Sequence, residues 1–272
     1  MRINKNIASL NIYKEYSKNL SKQSVSLARI SSGIKVNSSK DNPNQIAQSE
    51  RFRMQVRGLQ MAARNTQDGV SMLQTAEGGL EGVTNSLQRV RELLVQAGGT
   101  TTDSDKQDIQ IEMNQMIDGA DDMAKNTEFN GVKLLNGGSP STLEMVSGAN
   151  VGEKIDIPRF DLTKAGLGLD KIDVNDIGKS LELVDKALGD VVSARSKFGA
   201  LENRFESSYN STMEISEKTE SAESSIRDTD IAEEMMEFSK YNILIEAGNA
   251  MMAQSNKLPQ DALRILENVR SR

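Results

Sequence analysis

The sequence predicts a mainly α protein: a long antiparallel helical bundle or coiled coil made from both terminal arms, with a small central β-hairpin region. Three observations predict it. Apolar and small residues recur at spacings of three and four along both arms. The four prolines, Pro43, Pro140, Pro158 and Pro259, leave two long stretches, 44–139 and 159–258, in which no ring blocks a backbone hydrogen bond. Strand and turn residues are confined to the short segment between the arms. A stripe at helical spacing has to find a partner helix or stay in water, so a chain with such stripes at both ends folds back on itself or assembles with other copies.

Taken in order, the pattern divides the chain into 1–42, 43–135, 136–175, 176–229 and 230–272. A first helix is expected over about residues 3–32, where Tyr13, Tyr16, Leu20, Leu27, Ile30 and Ile34 keep a 3/4 spacing with Gln23 as the polar exception. Gly33 and 37–42 supply stop and cap chemistry before Pro43. The second helix carries Phe52, Val56, Leu59, Ala63, Thr66, Val70 and Leu73. After one shortened step it continues as Ala76, Leu80, Val83, Leu87, Val90 and Leu94, ending at Gly98-Gly99. Ser104 with Gln107 three residues on reads as the capping box of a third helix, whose stripe is Ile109, Met113, Met116, Ala120 and Met123.

Thr127-Glu128-Phe129-Asn130-Gly131 is a turn, and Leu143, Met145, Val151, Ile155, Ile157 and Phe160, set among glycines and Pro158, read as one or two hairpins. About forty residues are too few to stand alone, so this centre packs on the helices. The returning arm runs Ile177, Leu181, Val184, Leu188, Val191, Ala194, Phe198, Leu201, Phe205, Ser208, Thr212 and Ile215. Asp230 with Glu233 opens the last helix, which carries Ile231, Met235, Phe238, Tyr241, Ile245, Met252 and Leu258. Each outer helix has one apolar face and little to bury it against, so the outer pair is expected to be poorly ordered in a lone monomer.

Composition limits the chemistry. With no Cys and no His, thiolate catalysis, disulfides, the commonest metal ligand and the usual neutral-pH base are all missing. No catalytic, cofactor-binding or metal-binding residue is therefore assigned, and the chain reads as a non-enzyme. Asp103, Asp105, Asp121 and Asp122 lack a tight loop of the calcium-binding type and read as helix-start charges and a solvated face. A net charge of −6 and a pI near 5.0 argue against nucleic acid. No stretch approaches the roughly 18 apolar residues of a membrane span, and the N-terminus lacks a signal-peptide core, which taken alone reads as cytoplasmic.

The arms carry a long series of short motifs. Ile3-Asn4-Lys5-Asn6 and Ser9-Leu10 come first, then Arg29-Ile30-Ser31-Ser32-Gly33-Ile34-Lys35-Val36-Asn37-Ser38 with Lys40-Asp41. Gly58-Leu59, Arg64-Asn65, Asp68-Gly69-Val70-Ser71, Leu87-Gln88-Arg89-Val90-Arg91-Glu92-Leu93 and Phe129-Asn130-Gly131-Val132-Lys133-Leu134-Leu135 follow. The second arm adds Gly199-Ala200-Leu201-Glu202-Asn203-Arg204-Phe205, Ser225-Ile226-Arg227-Asp228-Thr229-Asp230 and Ala253-Gln254-Ser255-Asn256-Lys257-Leu258-Pro259-Gln260. In this order, around a variable centre, they resemble bacterial flagellin in a short form without large outer domains.

The resemblance implies a subunit that self-assembles into the flagellar filament, with the outer helical pair lining a central channel and the inner helices forming the shell around it. On that basis Ile3, Ile7, Leu10, Leu20, Leu27, Ile30 and Ile34 are expected to pair with Ile231, Met235, Phe238, Tyr241, Ile245 and Met252 in the filament core. It also implies export unfolded through the flagellar secretion channel without a cleaved signal, and an extracellular location on the flagellum. The implied partners are other copies of the chain, an export chaperone at the C-terminal end, the filament cap and hook-associated proteins, and the Toll-like flagellin receptor of animals. The family's receptor and subunit-contact site falls on Arg89, Leu93 and Glu112. Val90 and Leu94 lie on the core stripe, so Arg89 and Leu93 are expected to point away from it.

Three departures stand out: Asp41-Asn42-Pro43-Asn44-Gln45 replaces a small-residue run at the joint, the centre is short, and the tail 267–272 runs past the usual end. A hook–filament junction protein shares the terminal pattern, and a cytoplasmic coiled-coil signalling rod shares the heptads. The run 87–93 with Phe129-Asn130-Gly131 favours the filament subunit over the first, and the β-type centre argues against the second. The zinc peptidase that some flagellins carry needs a His-Glu-x-x-His helix, which a chain without His cannot supply.

Overall fold

A computed structural model describes residues 6–99 and 102–270. Ile3, the side chain of Leu258 and the last two residues lie outside the described set. The fold is mainly α, with five long helices and two small antiparallel hairpins, as the sequence predicts. The helices are α1 (Ile7–Ser32), α2 (Pro43–Ala97), α3 (Asp103–Asn126), α4 (Ile177–Arg227) and α5 (Ile231–Arg270). Between α3 and α4 come β1 (Glu128–Phe129), β2 (Val132–Lys133), β3 (Thr142–Val146), β4 (Lys154–Pro158) and one 3-10 turn at Leu169–Lys171.

Local chemistry sets the ends. Asn6 caps α1, its side-chain oxygen accepting from the Ser9 N–H at 3.1 Å, and Gly33 at φ 69° ends it in the left-handed conformation that a Cβ disfavours. Asn42 accepts from the N–H groups of Asn44 and Gln45, and Pro43 stands at the first position of α2, where its missing N–H costs nothing. The third helix starts two residues earlier than the sequence pattern suggests. Thr102, not Ser104, is the cap, and Asp105 rather than Gln107 closes the box, because Asp105 accepts from both the Thr102 N–H and its hydroxyl. Asp230 caps α5 as expected.

The chain forms two compact units, one of Met54–Thr219 and one of the chain up to Arg53 with the chain from Glu220. The first unit holds a continuous apolar core. Leu80, Val83, Leu87, Val90 and Leu94 of α2 meet Met113, Ile117 and Ala124 of α3 and Val184, Ala187, Val191, Phe198 and Phe205 of α4. Each large side chain fully buried in this stripe contributes roughly 1.5–3 kcal/mol. Gly69 makes room for it, since a Cβ there would lie 2.9 Å from the Phe205 ring.

The expected α4 stripe holds to Thr212, but Ile215 is exposed and Ser216 takes the buried position. The segment expected as a plain turn before the centre is itself a hairpin. Asn130 at φ 50° and Gly131 at φ 78° form its two-residue bend, and Phe129 pairs with Val132 across it. In the second hairpin Leu143 faces Ile157 and Met145 faces Ile155, and Ile155 and Ile157 join the helical core.

The second unit is leaner. Its α1 packs on α5, and the connection after α1 is bridged to the one after α4: Ile34 pairs with Asp228, and the Lys35 N–H donates to the Arg227 carbonyl at 2.8 Å. Ser49 donates to Glu223 at 2.8 Å, and Arg227 lies 3.6 Å from both Glu50 and Glu223.

Candidate assembly interface

Two surfaces correspond to the residues the sequence singles out. The first lies on α2 and α3. Arg89 is half-exposed and donates to Glu112 of α3 at 2.9 Å and to Glu92 one turn on at 3.2 Å. The hydrogen bond it donates to Glu112, then the one to Glu92, raises the guanidinium's pKa above its already high ordinary value, so its charge is fixed at any physiological pH. An exposed pair of this kind adds little stability; it fixes a charged pattern across two helices.

Leu93 does not join that surface. It is 1% exposed and belongs to the core, contrary to the expectation that it points away from the stripe. The reason is that α2 is clasped from two sides here, by α3 through Arg89–Glu112 and by α4 through Arg91–Asp185 at 2.8 Å. Its apolar sector therefore widens to take Leu93 beside Leu94.

The second surface is the α1–α5 pair. The α1 residues turned to α5 are Ser9, Ile12, Tyr16, Asn19, Gln23, Ser26 and Ile30, all half-buried or buried and all three or four apart. They meet Glu234, Phe238, Tyr241, Asn242, Ile245, Gly248, Met252 and Ser255. Polar partners are spread along the seam. Asn6 Nδ2 donates to the Ser255 carbonyl at 3.0 Å and to its hydroxyl at 3.2 Å, Gln23 Nε2 donates to Asn242 Oδ1, and Arg29 pairs with the buried Glu234 at 3.4 Å. Tyr241 is buried with Lys22 and Lys240 each 5.5 Å from its ring centre, a favourable cation–π placement.

This corrects the expected pairing. Phe238, Tyr241, Ile245 and Met252 lie on the seam, with Ile30 and Ile34 half-buried, but Ile7, Leu10, Leu20 and Leu27 of α1 and Ile231 and Met235 of α5 are exposed. The expected α1 stripe mixes two rows: Tyr16, Gln23 and Ile30 lie on the seam, and Tyr13, Leu20 and Leu27 lie off it. Leu10, Tyr13, Ser17, Leu20, Ser24 and Leu27 form a second row of unbroken 3/4 spacing, and its four large members are 47–58% exposed. Part of this row, with Phe238, lines an open trough.

Among the described residues no three acidic side chains are grouped to hold a metal ion, and no helix is long and apolar enough to cross a membrane.

The sequence matches two family descriptions, the bacterial flagellin N-terminal helical region over residues 3–139 and the bacterial flagellin C-terminal helical region over residues 181–266. It is 40% identical to the flagellin of Bacillus subtilis over 98% of this chain and all of that one. It is 37% identical, with the same coverage, to a flagellar filament core protein of Brachyspira hyodysenteriae. Among solved structures, the flagellin of Bacillus cereus superposes with a TM-score of 0.50 at 28% identity, over 55% of this chain and 88% of that one.

Proposed function

The chain belongs to the bacterial flagellin family, and from that premise we propose that it builds the extracellular flagellar filament by copy-to-copy packing of its α1–α5 pair. The role is structural and involves no catalysis. The observation that carries this reading is the row Leu10, Tyr13, Leu20 and Leu27, an apolar helix face that its own chain leaves uncovered. Large exposed apolar rows mark interaction surfaces. A filament covers such a row with the next subunit, and the outer pair then forms the channel lining while 54–219 forms the shell.

The Arg89–Glu112 pair supplies a second contact to neighbouring subunits and is the part of this chain that the animal Toll-like flagellin receptor reads. Leu93 serves that face from beneath, by packing, and does not touch the partner. Export proceeds unfolded through the flagellar secretion channel, with a chaperone holding the C-terminal end and the cap and hook-associated proteins receiving the chain at either end of the filament.

The test is seeded growth of the purified full-length protein on filament fragments, followed by electron microscopy and sedimentation. Elongation of seeds by hundreds of subunits is the expected result. Binding that stops after a single layer would assign the chain to the hook–filament junction instead, and no binding would reject the assembly reading.

A further inference from the structure

We propose that the exposed row Met54, Arg57, Met61, Arg64 on α2 is an oxidation site for anionic peroxides, centred on Met61, whose thioether takes the oxygen while the two guanidinium groups draw the oxidant in. Spacings of three, four and three residues put all four side chains on one helix face. The core uses none of them. Met54 and Met61 are 66% and 54% exposed, and among the described residues neither Arg57 nor Arg64 makes an ion pair or a side-chain hydrogen bond. Composition makes thioethers the reactive groups: the chain has thirteen Met and no Cys, His or Trp to compete for an oxidant. Burial then removes some of them, since Met72 and Met113 are 5% and 0% exposed.

Charge separates the exposed ones. Met61 has Arg57 four residues before it and Arg64 three after, positions whose Cβ atoms lie about 5–6 Å away on a helix. Met54 has Arg51 and Arg57 at such positions, but Glu50 as well. Met213 of α4 is 45% exposed and has no cation there, only Tyr209, Asn210, Ser216 and Glu217. An anionic oxidant therefore meets an attractive field at Met61 and a repulsive one at Met213, whereas a neutral oxidant meets neither. The site belongs to the single chain and needs no second copy, so it stands apart from the assembly reading.

With peroxymonosulfate as the anionic peroxide, the thioether sulfur attacks the terminal peroxide oxygen. The S–O bond forms as the O–O bond breaks, sulfate leaves with the electron pair of that bond, and the proton of the transferred hydroxyl passes to solvent. Sulfur is oxidised by two electrons and the peroxide is reduced by two. The product is methionine sulfoxide, a polar side chain that sulfoxide reductases return to the thioether. Hydrogen peroxide makes the same transfer without carrying a charge, and its leaving product is water.

The test exposes the full-length protein at low ionic strength to a limiting amount of either oxidant and follows sulfoxide at each Met by peptide mass spectrometry. The Met61-to-Met213 rate ratio under peroxymonosulfate is divided by the same ratio under hydrogen peroxide, which cancels the difference in exposure. This quotient should be about fivefold or more. It should fall towards one in about 1 M salt, where charges are screened within a few ångströms, and likewise in R57Q/R64Q at low salt. A quotient near one in the native protein, or one that salt does not lower, would overturn the proposal, and neither measurement needs a variant. So would a quotient that R57Q/R64Q leaves unchanged while circular dichroism shows the helix content kept.

Discussion

Arg89 and Leu93 are one helical turn apart, and the turn separates a surface charge from a core side chain. Spacing alone groups residues four apart on one face. Arg89, however, has a stem long enough to carry its guanidinium out to Glu112, whereas Leu93 is buried in the core. Leu93→Ala should therefore lower stability by about 2–5 kcal/mol, as should Leu87→Ala. Arg89→Ala should leave the melting temperature nearly unchanged and reduce seeded filament growth. Parallel circular dichroism melts and sedimentation of the three variants check this; a Leu93→Ala melt like the wild type would return Leu93 to the surface.

Asp121 gives a pH-dependent counterpart. Burial opposes its charge, yet hydrogen bonds from the Lys125 side chain and the Lys164 N–H hold its pKa below the ordinary carboxylate value. A depressed carboxylate stabilises the fold above its unfolded pKa of about 3.9 and loses that contribution as pH falls through the folded value. Asp121→Asn keeps the acceptor and removes the charge. It should melt about 2–4 °C below the wild type at pH 7, with the two curves converging as pH falls through the depressed pKa of the folded state; a gap independent of pH would mean the charge is not what matters.

Among the elements, the α2, α3 and α4 stripes were legible in the sequence because each is both apolar and periodic and is buried by neighbours within the same unit. Leu80, Val83, Leu87 and Val90, for example, fall where the spacing puts them and are fully buried. The α1–α5 seam was legible only in part: Tyr16, Ile30, Phe238, Tyr241, Ile245 and Met252 lie on it, whereas Leu10, Leu20 and Leu27 are as apolar and as periodic and stay outside. The capping box moved to Thr102 for a related reason: two overlapping Ser/Thr-x-x-acceptor patterns are present, and only backbone geometry separates them. The same contrast predicts unequal resistance to protease. Unit 54–219 has the continuous core, whereas the described core residues of the other unit include few large apolar side chains, Val36 and Tyr241 among them. Brief trypsin treatment of dilute monomer should leave a fragment bounded near Arg53 and Lys218 and remove both ends. Mass spectrometry of the products checks it, and full-length protection would contradict it.

At the level of the whole molecule, removing residues 239–272 takes away Tyr241, Asn242, Ile245, Met252 and Ser255, and with them every seam partner of α1 beyond Glu234 and Phe238. The core of unit 54–219 loses nothing, because all its members lie inside it. The truncated chain should keep that unit's melting transition by calorimetry and fail to extend filament seeds; filaments of normal length would show that α5 is dispensable. The Asn6–Ser255 contact also joins residues 249 positions apart. Closure over so long a loop is slow compared with local helix packing, and a chain that emerges from one end to the other cannot make it until nearly all of it is out. Unit 54–219 is thus free to fold while α1 still waits. A broken or unfinished chain, lacking α5, never forms the α1–α5 pair, so on the proposed assembly only a complete chain can present that face.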